Sequence, residues 1–334
     1  MDMKKWVQEL KRGNVKKAMP ILSFPSVQLM GIDVLKLISH SELQAQGMKL
    51  IAERTDTLAA VSMMDLSVEA EAFGSTISFS ATEVPTVTGH LLNTMEEAQA
   101  LKVPAVGDGG RIDNYVAAIG QAVKLIKDRP VFAGVIGPFS LAGRLLDVSE
   151  AMIYCYEEPQ MVHVVLEKVT DFIIRYIEAY KAVGANGVVI AEPLAGLLSP
   201  ALNDQFSVQY VKRIVDTVQS DDFVVIYHNC GNSVKELISE IVKIGATAYH
   251  LGNAINMRQV LELVDPNVIL MGNVSPTEIR IGTPESVRRM TLKLLKECAE
   301  YPNFVPSTGC DIPPMSSWEN IDAFFDTVRS FYGT

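Results

Sequence analysis

Three side chains in this 334-residue sequence have the types and spacing to hold a transition metal: His228 and Cys230 in the run YHNCGN, and Cys310 in STGCDIPP. Residues two apart in an extended chain point to the same side, so His228 and Cys230 share one face of the segment on which they lie. One imidazole and two thiolates suit zinc, and three protein ligands leave the fourth tetrahedral position to a substrate, as in catalytic sites. The plain alternative is a strand-end histidine with two ordinary buried thiols. The metal is favoured because both runs close apolar, β-branched segments, FVVIYH and NFVPS, which brings the three donors to one end of the fold.

Other polar residues stand at comparable places. Glu192 ends GVVIAE, either as a fourth ligand that substrate displaces or as a surface carboxylate before Pro193. His250 ends ATAYHL as a substrate contact, a proton carrier or a hydrogen-bonded structural histidine. Asp311 follows Cys310 and either orients His228 or caps the Ile-Pro-Pro turn. Asp65 and Glu69, four apart on one helix face, either hold a polar group of the substrate or serve as capping and solvated residues. Asn273 and Ser275 follow NVILMG as substrate contacts. Cys155 and Cys298 fall on apolar helical patterns and read as core thiols. His40, His90 and His163 lack partners at matching spacing and read as structural.

The elements that must position these groups follow from periodicity. Eight short apolar runs read as strands: 18–24, 57–63, 130–137, 187–192, 223–228, 246–251, 267–272 and 303–307. Amphipathic segments near 112–128, 158–183, 202–219, 232–243, 256–264, 283–299 and 317–331 read as helices, with start signals such as Asn232-Ser233 and Thr283-Pro284-Glu285. Eight strands alternating with helices predict an α/β fold, a (β/α)8 TIM barrel, whose functional groups sit at the C-terminal strand ends. An N-terminal helix precedes the barrel, and a hairpin over 63–90 decorates the loop after the second strand. No linker or repeat divides residues 1–334, so a single TIM-barrel domain is expected. A doubly wound sheet is the alternative, but no glycine-rich fingerprint follows the first strand, and GDGGR at 107–111 has no clear strand before it.

Composition excludes several roles. A net charge of −10 from 29 basic and 39 acidic residues argues against nucleic acid as a partner. The basic cluster at Lys4, Lys5, Lys11, Arg12, Lys16 and Lys17 reads as a solvated first helix whose apolar stripe is Trp6, Val7 and Leu10, rather than as a membrane-surface helix. No apolar run reaches the length of a membrane span and no secretion signal opens the chain, so a cytoplasmic protein with reduced thiols is expected.

The YHNCGN and STGCDIPP runs, with DLSVEAEAFG at 65–74, GPFSLAGRL at 137–145 and GNVSP at 272–276, resemble the uroporphyrinogen decarboxylase superfamily across essentially the whole chain. Within it they resemble the zinc-dependent corrinoid methyltransferases related to methylcobamide:coenzyme M methyltransferase. The decarboxylases of that superfamily carry an arginine-rich stretch after the first strand, where this sequence reads PSVQLMG, which argues against decarboxylation. The resemblance implies zinc on His228, Cys230 and Cys310, and methyl exchange between a corrinoid (cobalamin) protein and a small substrate. That substrate is either a thiol such as coenzyme M or a methoxylated compound of the O-demethylase type. A sulfonated thiol needs a cation near the metal, for which Arg144 is the candidate, with a surface salt bridge as its alternative. A methoxyaromatic would instead use Met63, Met271 and Phe73. No Asp-x-His-x-x-Gly segment is present to carry a cobamide, so the corrinoid belongs to a partner protein. The alternatives are a tetrapyrrole decarboxylase, which needs no metal, and a non-catalytic corrinoid- or tetrapyrrole-binding module.

Overall fold

The computed structural model describes residues 1–12 and 16–333. In chain order its strands are β1 (Ala60–Val61), β2 (Thr76–Ser78), β3 (Thr86–Thr88), β4 (Val131–Ile136), β5 (Gly187–Ala191), β6 (Val224–Asn229), β7 (Ala248–Leu251), β8 (Ile269–Val274) and β9 (Phe304–Thr308). β2 and β3 form the expected hairpin, with Thr76 opposite Thr88. The other seven make one parallel sheet in the order β1-β4-β5-β6-β7-β8-β9. Long helices such as Pro159–Ala182 and Pro284–Cys298 fill the crossovers, and Thr283 caps the latter as its spacing predicts.

Residues 18–21, within the first expected strand, form no strand of their own. They nevertheless bridge the two edges of the sheet. Leu58 N donates to Ala18 O at 2.9 Å, and Met19 N donates to Pro306 O at 3.0 Å. Pro20 has no N–H to add to either ladder, which explains why this stave falls short of a strand. With it the barrel closes as a (β/α)8 TIM barrel.

Register aligns Ile136 with Ala191, Ala191 with His228, His228 with His250 and His250 with Met271. The barrel interior is apolar: Val61, Phe132, Val189, Val224, Ile226, Ala248, Ile269 and Val305 form one buried cluster. Side chains alternate across a strand, so the interior row Val224, Ile226 continues to His228, Ala248 continues to His250, and Val305 continues to Ser307. Polar groups thus occupy the uppermost interior layer, at the C-terminal strand ends.

The opposite end is plugged by α1 (Met3–Arg12). Met3, Trp6 and Leu10 are buried at helical spacing, and they join the interior cluster. Trp6 meets Phe132 edge to face, with ring centroids 5.5 Å apart. The apolar stripe therefore serves the barrel. Lys16 is buried beside it and donates to the carbonyls of Leu10 (3.4 Å), Pro302 and Phe304 (2.6 Å), and burial lowers its pKa to about 8. Among the described residues no helix is long and apolar enough to cross a membrane.

Trp6→Ala removes the largest side chain of this plug. It is expected to lower the unfolding free energy by about 3 kcal/mol, read as an earlier urea midpoint at unchanged slope.

Candidate metal centre

β6 delivers His228, and a tight turn then delivers Cys230. Asn229, fully buried, makes that turn: its Oδ1 accepts from Gly231 N at 2.9 Å while its Nδ2 donates to Tyr227 OH at 3.0 Å. Gly231 lies backbone to backbone against Gly196 of the loop after β5, where a Cβ would come within 2.5 Å of Gly196 Cα. The Gly of YHNCGN is thus dictated by close approach. Cys310 arrives from the loop after β9. The ligand atoms of His228, Cys230 and Cys310 all lie within 4.8 Å of one another, the one such group of His, Cys, Asp and Glu side chains among the described residues. Cys310 Sγ is 3.5 Å from His228 Nε2.

The other ring nitrogen of His228 is engaged behind the site. His228 Nδ1 lies 3.1 Å from His250 O and 2.8 Å from His250 Nδ1, and His250 Nε2 lies 2.8 Å from Ser307 Oγ. The Ser307 hydroxyl donates to Met19 O at 2.7 Å. Burial, with His228 alongside, holds His250 well below the ordinary histidine range. The two thiols interact directly: the hydrogen bond from Cys310 pulls Cys230 below its ordinary range, while the same contact and burial push Cys310 up to about 12. Two thiolates this close repel, so the second ionises only when a cation shares the site.

Several sequence-level expectations change at this point. Glu192 is no fourth ligand. It is fully buried beneath the helix Pro138–Leu146, its oxygens accepting from Phe139 N (2.7 Å), Ser140 N (2.8 Å) and Ser207 Oγ (3.2 Å). Burial raises its pKa to about 7 against those three hydrogen bonds. His250 is neither a substrate contact nor a proton carrier at the mouth, since it is 2% exposed with both ring nitrogens engaged. Asp311 does not orient His228. Its Oδ2 accepts from Met64 N at 3.2 Å, Oδ1 is buried without a partner, and burial beside Cys310 keeps the acid well above the usual carboxylate range.

Asp65 is consumed by structure, accepting from Arg111, from Tyr115 OH at 2.8 Å and from Ser67 Oγ at 2.6 Å. Glu69 Oε1 accepts from Ile136 N at 3.0 Å at the end of β4, which ties the decorated loop to the barrel, and burial raises its pKa to about 7. Asn273 donates to Gly252 O (2.9 Å) and Ile255 O (3.0 Å), and Ser275 caps the helix Pro276–Ile281, so both carry structural hydrogen bonds. Arg144 alone among the expected substrate contacts has no hydrogen bond or ion pair among the described residues, and burial pushes its guanidinium down.

Cys155 and Cys298 are core thiols, both pushed up to about 12 by burial. His163 stacks on Phe206 and meets Tyr210 OH at 2.7 Å, a structural role. Sequence reading missed Ser307 and Asn229. Alternation from Val305 was the available signal for Ser307, but a serine inside a strand resembles ordinary filling.

One imidazole nitrogen and two thiols, converging with the imidazole's far nitrogen already engaged, fit zinc in both donor type and number. The family described as uroporphyrinogen decarboxylase (URO-D) matches residues 15–331. The chain is 27% identical over 306 residues to the methylcobamide:CoM methyltransferase MtbA of Methanosarcina acetivorans, covering 87% of this chain and 86% of that one. It is 25% identical over 310 residues to a uroporphyrinogen decarboxylase of Pseudoalteromonas translucida, covering 90% and 86%. Among solved structures, a methyltransferase from Methanosarcina mazei matches with a TM-score of 0.86 at 25% identity over 99% of each chain. Overall identity does not separate the two activities, so the residues of the site must.

Purified protein is expected to carry about one zinc. Cys310→Ala should lose most of it, whereas Cys298→Ala and Glu192→Gln should keep it, measured by elemental analysis. Glu192→Gln should instead lower the unfolding free energy by roughly 1–3 kcal/mol, because an amide cannot accept from both helix N–H groups. Uptake of zinc must displace thiol protons, so apparent affinity should rise between about 10- and 100-fold per pH unit around neutrality, read by chelator competition.

Proposed function

The chain belongs to the uroporphyrinogen decarboxylase family, and from that premise we propose that it is a zinc-dependent methyltransferase, moving a methyl group between a corrinoid held by a partner protein and a small acidic thiol. The observation that carries this reading is the His228, Cys230 and Cys310 donor set, with all ligand atoms within 4.8 Å of one another. Zinc bound there supplies the Lewis acidity that ionises a thiol near neutral pH. The net reaction takes CH3 from methyl–cobalt(III) to sulfur and yields a thioether, cobalt(I) and a proton.

The chain's own residues supply placement and electrostatics. His228 is held rigidly from behind, and the Asn229 turn fixes Cys230 beside Cys310. Arg144 supports an acidic group on the thiol. On its helix, Ser140 Oγ accepts from Leu194 N at 3.1 Å, and Gly143 faces the same Leu194. Arg144 lies one turn after Ser140 and next to Gly143, on the helix that packs against the loop whose Gly196 meets Gly231, and this supports the reading without itself placing the guanidinium at the metal. A half-buried guanidinium with no counter-ion among the described residues favours an anion. The methoxyaromatic alternative has less support, because Met63 and Met271 are 2% and 0% exposed in the core. A decarboxylase would need several cations for a polycarboxylate, yet residues 25–31 contain none and Arg111 is committed to Asp65 and Glu71.

The test mixes protein with methylcob(III)alamin and candidate thiols, and follows the cobalt absorption. Turnover with an acid-bearing thiol is expected. Arg144→Met should raise KM for that thiol by about tenfold, the scale of one lost charge-assisted hydrogen bond, and leave a neutral thiol nearly unaffected. Absence of turnover with both free cobalamin and a cognate corrinoid protein would overturn the reading.

A further inference from the structure

Resting on the metal-site reading above, we propose that Ser307 and His250 are positioning residues that set the tautomer of His228, so that its Nε2 presents a bare lone pair to the metal. The inference follows from counting protons along one buried chain of contacts. Met19 O can only accept, so the single Ser307 hydroxyl proton goes to it across 2.7 Å. Ser307 Oγ must then be the acceptor in its 2.8 Å contact with His250 Nε2, which assigns the ring proton of neutral His250 to Nε2. His250 Nδ1 is therefore a lone pair. The nitrogen 2.8 Å from it, His228 Nδ1, has to be the donor, and the His250 carbonyl at 3.1 Å is a second acceptor for the same N–H. With its one proton on Nδ1, neutral His228 leaves Nε2 free beside Cys310 Sγ, 3.5 Å away.

The opposite tautomer of His228 would set two lone pairs against each other at 2.8 Å inside a region where both histidines are 2% exposed. Free histidine prefers its proton on Nε2, so the protein has to supply this bias. The chain of contacts begins at the irregular first stave. Met19 gives its N–H to Pro306 O, and its carbonyl is turned to Ser307 instead of to a backbone ladder.

Ser307→Ala removes the acceptor for His250 Nε2–H and frees both rings to exchange tautomers; Ser307→Thr keeps the hydroxyl. Two measurements read the effect. Nitrogen-15 NMR of the imidazoles in metal-free protein should show His228 protonated on Nδ1 in the wild type and in Ser307→Thr, and a tautomer mixture in Ser307→Ala. Chelator competition should show zinc binding weakened about 10- to 100-fold in Ser307→Ala and largely restored in Ser307→Thr. Wild-type zinc affinity together with an unchanged His228 tautomer in Ser307→Ala would overturn the proposal, as would a wild-type His228 protonated on Nε2. The last result needs only wild-type protein, so a variant that fails to fold leaves the test intact. A wild type that binds no zinc would refute the metal reading, while the NMR measurement still decides the relay.

Discussion

The structure depends on a conflict between alternation and burial. A strand interior that is apolar at Val224 and Ile226 must, two residues on, point His228 into the same space, and β7 and β9 do likewise with His250 and Ser307. Leaving such a group buried without a partner costs roughly 1–3 kcal/mol each. The solution is a single file of hydrogen bonds that ends on the backbone of the first stave. It satisfies the ring nitrogens of both histidines and the Ser307 hydroxyl, and keeps one nitrogen facing forward. Closure of the barrel and orientation of the site are thus one problem with one answer.

Around that file, carboxylates act as struts rather than as reagents. Glu192 fastens the start of the helix after β4 and, through Ser207, the wide turn at Asp204–Val208. Glu69 fastens the decorated loop to the end of β4, and the Asp65–Arg111 pair anchors that loop to the helix Arg111–Leu125. A buried ion pair of this kind contributes little net stability, but loss of either partner strands a charge away from water. The consequence for the site is placement: the start of the helix carrying Arg144 is tied to the end of β5 through Glu192, while the thiols of Cys230 and Cys310 remain partly exposed.

The barrel is shared with relatives of different chemistry, which is usual for this fold, because function resides in a few rim residues. Near-equal identity to a methyltransferase and to a decarboxylase leaves the donor set to discriminate. Two thiols and an imidazole at the mouth suit a soft, thiol-binding metal.

Much of this was legible in the sequence. The alternation of apolar runs and amphipathic segments is a local property of the chain, so it determined the barrel, the hairpin and the helix starts. The His-x-Cys spacing put both donors at the end of one strand, but β6 stops at Asn229 and it is the turn made by Asn229 that carries Cys230 toward Cys310. The partner of a buried polar group depends instead on which distant atoms the fold brings within 3 Å, and no local pattern encodes that. Glu192 closes an apolar strand just as a ligand would, and only the helix placed above it takes up both oxygens. His250 closes its strand as a free group would, and only the fold sets Ser307, itself bonded to Met19 from the opposite end of the chain, against its far nitrogen. The first stave reads as a strand by composition, yet Pro20 and the closure between β1 and β9 decided otherwise. Sequence determined the elements and the ligand types, whereas tertiary structure decided which polar groups were already spent and which remained free for chemistry.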